Sequence, residues 1–195
     1  MLYIKFNRLS SAKFEDFILL YKHMEMVRQP GFSFEEEEPE PIEWEKLTQA
    51  EVDEAVDKLC EFVFEDPAAR RYQRLIPEYA NEILLEYLKI DNERLEELGI
   101  EKKLSIFNYL EFGLEVDFTN LEYNEEQKGI IEFSTLNYPF GGIDRFLIVL
   151  KAFDILPTEC FDGFNVFRFD WTNNFEFNAH ELPEKTSAYI KRYET

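Results

Sequence analysis

"LEVDFTNLEYNEEQKGIIEFSTL", residues 114–136, is where the chain changes its period. Leu114, Val116 and Phe118 alternate with Glu115, Asp117 and Thr119, the two-residue repeat of a strand with one buried face. The alternation slips a phase at Leu121 and Tyr123, as one extra residue in a strand, a bulge, would make it do. A polar turn around 124–128 leads into "GIIEFSTL", a second strand. The stretch reads as a hairpin, and what lies before it follows another rule.

Upstream the apolar period is helical. Phe14, Phe17, Ile18, Tyr21, Met24 and Val27 recur at three- and four-residue steps and predict a helix over 11–28, ended by Pro30-Gly31. Before it, Leu2, Ile4 and Phe6 alternate with Tyr3 and Lys5 as in a short strand over 1–6. Thr48-Gln49-Ala50-Glu51 has capping-box spacing and opens a helix with Val52, Ala55, Val56, Leu59, Cys60 and Val63 on one face. Asp66-Pro67 stops that helix and starts another. Further helices are expected over 77–89, where Ala80, Ile83, Leu84, Tyr87 and Leu88 share a face, and over 91–98, closed by Gly99.

Downstream, Pro139 and Gly141-Gly142 lead into a helix packed through Phe146, Ile148 or Leu147, Val149, Leu150 and Phe153. "PTECFDGFNVFRFDW", residues 157–171, follows, with Asp162-Gly163 between two β-rich runs as a hairpin turn and Phe167, Phe169 and Trp171 on one face. Asn173-Asn174 marks another turn before Phe175 and Phe177. The fold class is therefore α+β: a helical N-terminal half, then a mostly antiparallel sheet built from two hairpins flanking one helix. The chain divides into an N-terminal helical segment at 1–31, an acidic connector at 32–46, and an α+β domain at 47–195. Within that domain helices fill 47–112 and hairpin, helix and hairpin fill 113–180.

The 195 residues are 45% hydrophobic and include 20 Phe and 10 Tyr, enough aromatic area for a packed core. The net charge of −20 is uneven. Residues 1–31 hold 5 basic and 3 acidic side chains, whereas residues 32–100 hold 7 basic and 21 acidic. Binding to a nucleic-acid backbone or an anionic membrane needs clustered Lys and Arg, so both classes are excluded as partners. Cys60 and Cys160 lie a hundred residues apart in no metal-ligand spacing and read as two buried free thiols. Lys5 and Arg8 interrupt the N-terminus, so it does not read as a secretory signal, and the expected location is cytoplasmic.

Gly141, Gly142 and Arg145 are the candidate anion or pocket site, because paired glycines before a helix can expose its N–H groups. Asp144 in the first turn opposes a bound phosphate, and no three-glycine or Gly-Lys-Ser/Thr pattern is present, so the pair reads as a hinge. His23 and His180 belong to no metal spacing, and the sequence calls for no metal or cofactor. Cys160 with His180 and Asp162 or Asp170 is a conceivable nucleophilic set, and Glu115 with Asp117 a conceivable carboxylate pair. Each has a plainer reading, as core thiol and as solvated strand face.

The acidic run is the other candidate. Seven glutamates fall between residues 35 and 45, interrupted by Pro39 and Pro41, which forbid a continuous helix. Glu35, Glu36, Glu37, Glu38, Glu40 and Glu43, with Trp44 as an aromatic anchor, form a candidate docking segment for a basic protein. The acid-rich, aromatic-rich α+β composition is similar to that of toxin-neutralising immunity proteins, a similarity that covers no particular residue. The sequence thus favours a non-enzymatic, soluble binding protein with a basic partner, of inhibitor or immunity type. A hydrolase-type enzyme with carboxylate or cysteine chemistry is one alternative. A structural or oligomeric protein, self-associating through Phe167, Phe169 and Trp171, is the other. Nothing in the sequence fixes the oligomeric state.

Overall fold

Leu2, Ile4 and Phe6 point to one side of β1 (Leu2–Arg8), and Tyr3 and Lys5 to the other. The computed structural model describes residues 1–34, 38, 39, 41–97, 106–135 and 143–192. Within it β1 is hydrogen-bonded on both edges, antiparallel to β3 (Lys128–Ser134) and to β4 (Ile155–Phe161). With β2 (Asp117–Tyr123), β5 (Val166–Trp171) and β6 (Phe177–Glu181) this makes a six-stranded antiparallel sheet in the order β2-β3-β1-β4-β5-β6. The fold is α+β, and the two hairpins of the C-terminal half are joined through a strand from the N-terminus. Residues 1–31, set apart in sequence as a helical segment, supply that strand and the helix packed on it.

Strand irregularities have local causes. The phase slip expected near Leu121 falls two residues earlier, between Phe118 and Asn120, and the ladder starts at Asp117 rather than Leu114. Pro157 has no N–H to give to a ladder, and beside it the β1–β4 register shifts between Lys5 and Phe6. Thr158 is the extra residue, and its hydroxyl donates to the Lys5 carbonyl at 3.2 Å. The Asp162-Gly163 turn is a loop over 162–165 with Gly163 at φ 104°. The Asp162 carboxylate accepts from the amides of Phe164 and Asn165, both at 2.8 Å.

Helices cover one face of the sheet. In α1 (Ser11–Val27), capped by Ser10, Phe14, Phe17, Leu20, Tyr21 and Met24 are buried against Ile4, Phe6 and Ile131. Helix α6 (Ile143–Ala152) is apolar nearly all round, because β4 lies on one side of it and α4 (Glu78–Glu97) on the other. Two helices were expected over 77–98, but α4 is continuous; no Gly or Pro interrupts it, and Asp91 pairs with Arg145 instead of starting a new helix. Phe169 is buried under these helices, and Phe167 and Trp171 are half-buried against the same core. The segment past β6 closes as α7 (Pro183–Lys191), which covers Tyr3, Phe161 and Val166 on the opposite face through Leu182 and Tyr189. Among the described residues no helix is long and apolar enough to cross a membrane.

Glu159 lies on that opposite face, 7% exposed, and accepts from Tyr3 Oη at 2.9 Å, from Lys5 Nζ at 2.7 Å and from Lys185 Nζ. Burial pushes its carboxyl up, but the bonds from Lys185, Lys5 and Tyr3 outweigh burial and hold it below the ordinary value of 4.5. A depressed carboxyl stabilises the fold above its unfolded value, and that stability is lost as pH falls through the folded one. Urea midpoints measured from about pH 6 to pH 3 should therefore fall steeply below 4.5, and Glu159→Gln should flatten the fall. Gly129 is closely packed: a Cβ there would lie 2.2 Å from the fully buried Phe6 ring and 2.8 Å from the Glu122 carbonyl. Gly129→Ala should cost about 2 kcal/mol by urea denaturation, as overpacking does where neighbours cannot give way.

Candidate interaction surface

Helix α2 (Gln49–Phe64) forms for the reasons visible in its sequence. The Thr48 amide donates to Glu51 Oε2 at 2.7 Å and the Glu51 amide to Thr48 Oγ1 at 3.5 Å, completing the capping box. The face expected to be apolar is apolar, yet no residue of α2 is buried. Its inner half, Val52, Ala55, Leu59 and Phe62, is half-buried, and Ala55, Leu59 and Phe62 line a groove of about 230 Å³ with Pro39 and Ile42 of the connector. Its outer half, Val56, Cys60, Val63 and Phe64, is open to solvent, with Val63 66% and Phe64 84% exposed. Cys60, read as a buried thiol, lies in this open stripe because α2 packs against the connector and not against the core. Asp53, Asp57 and Glu61 border the stripe at four-residue steps, all exposed.

The connector leads into this helix. Glu38 and Glu43 are exposed, and Trp44, 44% exposed, opens a 3-10 turn at Trp44–Lys46. Lys46 pairs with Glu43 at 2.5 Å and Lys58 with Glu54 at 2.6 Å, all four groups well exposed, so neither pair contributes much. Glu35, Glu36, Glu37 and Glu40 lie outside the described residues, as do Gly141 and Gly142. Arg145 is in the first turn of α6, mostly buried, with its guanidinium 3.2 Å from Asp91 and 5.7 Å from the Tyr109 ring. It ties α6 to α4.

A second cluster includes Phe34, the residue before the acidic run, and no sequence pattern announced it. After α3 (Pro67–Gln73) and α4, the short α5 (Ile106–Asn108) widens into a π-helical turn, Tyr109–Gly113. The wide turn buries Tyr109, Leu110 and Glu111 and leaves Phe112 60% exposed. Burial pushes the Glu111 carboxyl up, while Arg71 Nη2 at 2.6 Å and Nε at 3.3 Å oppose that shift. Arg28, just past α1, donates to the carbonyls of Met24, Leu110 and Leu114, each at 2.8 Å, so it holds both ends of the turn. His23 stands edge-on to Tyr72 at 5.2 Å; burial, then the charges of Arg71 and Arg28, pull it below its ordinary value. The Phe34 ring lies under the Arg71 guanidinium at 4.0 Å and 6.0 Å from Phe112. A cavity of about 370 Å³ is lined by Arg28, Glu111, Phe112, Leu114, Glu115, Val116 and Asp117.

The nucleophilic set is not assembled. Cys160 pairs with Phe167 and shares its side of the sheet, facing the helices, where burial and then nearby carboxylates push the thiol up to about 12. Arg168 pairs with His180 and Asp170 bonds His180 at 3.0 Å on the other side, so the sheet itself separates imidazole from thiol. Among the described residues no three His, Cys, Asp or Glu side chains are grouped to hold a metal ion. In native protein at pH 8 a thiol reagent should titrate Cys60 at once and reach Cys160 only on unfolding; two fast thiols would place Cys160 elsewhere. No protein-family model matches this chain, and no curated protein and no solved structure is found similar to it.

Proposed function

We propose that this chain is a non-enzymatic binding protein that engages a basic protein through the acidic connector and the open stripe of α2. The observation that carries this reading is the exposure of α2. A sixteen-residue helix with no buried side chain takes little stability from its own fold. Its open apolar stripe stays hydrated at about 25 cal/mol per Å² until something covers it. The carboxylates of Asp53, Asp57 and Glu61 beside that stripe favour a basic partner over a second copy of the chain, which would set acid against acid. Between residues 32 and 66 there are fourteen acidic and two basic side chains, so the field extends from the connector along the helix.

The test is capture from lysate of the native host at about 50 mM and about 500 mM salt with three baits. The first is the native chain. The second carries Glu38→Gln, Glu43→Gln, Asp53→Asn and Asp57→Asn; the third carries Val56→Ser, Val63→Ser and Phe64→Ser. One basic protein, retained by the native bait at low salt, weakened at high salt and lost from both variants, is the expected result. Calorimetry with that purified protein should then show a negative heat-capacity change from the apolar stripe. A protein retained equally by all three baits, or none retained by the native one, overturns the reading.

A further inference from the structure

Resting on that reading, we infer that the cavity at the π-helical turn receives the guanidinium group of an arginine presented by the basic partner. Three carboxylates line it against one guanidinium, that of Arg28, whose two terminal nitrogens are turned to three backbone carbonyls. Glu111 is engaged by Arg71, which leaves the two carboxylates at the mouth. Glu115 and Asp117 are exposed; no salt bridge within 4 Å is formed by either among the described residues, although the Asp117 charge favours the charged form of Arg28.

Phe112 supplies the second element. Its ring meets Phe34 at 6.0 Å on one side, yet it is 60% exposed on a turn that buries its three preceding residues. Beside these exposed carboxylates it offers a face on which a planar cation stacks while its N–H groups fork onto Glu115 or Asp117. An ammonium group gains less from that pairing, because it is compact, strongly hydrated and has no plane to stack. The turn is held wide by Arg28 and by the Arg71–Glu111 pair, so the walls are set before any ligand arrives. Phe34 lies against Phe112, and the glutamate run begins at the next residue, so an arginine in this cavity places the flanking basic residues beside the acidic segment.

The test uses two short fluorescent peptides of equal charge, one all lysine and one with a single central arginine, titrated by anisotropy at physiological salt. The native chain should bind the arginine peptide about tenfold more tightly than the lysine peptide. Glu115→Gln with Asp117→Asn, both exposed positions, should abolish that preference, and Phe112→Leu should reduce it. The connector and helix variant used for capture should weaken both peptides alike and leave their ratio intact. No preference in the native chain, no binding of either peptide, or a preference that survives the Glu115/Asp117 variant overturns the arginine site. If the preference is present but the connector and helix variant binds both peptides as well as the native chain does, the acidic-segment reading fails and the arginine site stands.

Discussion

The double pairing of β1 is the constraint on which the rest of the molecule depends. A strand bonded on both edges needs apolar side chains wherever the layers on its two faces close over it. Leu2, Ile4 and Phe6 meet the helices on one face; on the other, Tyr3 is covered by α7 while Lys5 reaches past it to Glu159. Because β3 and β4 each bond to β1 rather than to each other, the two C-terminal hairpins become one sheet only through the N-terminal strand. The contacts that close the sheet are therefore long-range in sequence, Tyr3 with Phe161 and Ile4 with Ile131 among them. Each must be made against the entropy of closing a loop of more than a hundred residues.

Once that sheet is formed, the helices divide into two kinds. Helices α1 and α6 lie over it, α4 packs on α6, and together they bury Phe17, Leu147 and Leu84 completely. Helix α2 has a comparable apolar face and none of that burial, since its inner half meets the connector and the Arg70 side chain of α3 instead of the sheet. The same amphipathic pattern thus has two outcomes, and the difference is whether a second layer is available to receive it. The acidic residues of 32–66 are concentrated on the part of the chain that the sheet does not claim.

The π-helical turn shows a different balance. Glu111 and Arg71 are both withdrawn from water, a costly arrangement that stands only because charge, two N–H donors and the stacking of Arg71 on Phe34 are combined. With Arg28 spanning three carbonyls, the turn has ionic struts where an apolar core would ordinarily serve. Such a turn keeps its shape while leaving Phe112, Glu115 and Asp117 facing outward, which suits a recognition surface better than a soft loop would.

Local chemistry determined the elements, and those were legible in the sequence. The caps at Thr48 and Asp66 act as their side-chain oxygens dictate, and the period change near residue 114 marks the start of the hairpins. Charge asymmetry and the absence of catalytic spacing were equally plain, because both belong to residue types and order alone. Partnership was not legible. Periodicity says that Val56 and Val63 share a face with Val52 and Leu59, but it carries no information on what covers that face. Arg28, Arg71 and Glu111 lie forty or more residues apart in sequence, so no spacing rule joins them. Leu2, Ile4 and Phe6 declared a strand, but only the pairing of its edges made it the centre of the sheet. Hydrogen bonds between distant strands and burial between distant faces are properties of the assembled chain, and these the tertiary structure alone decided.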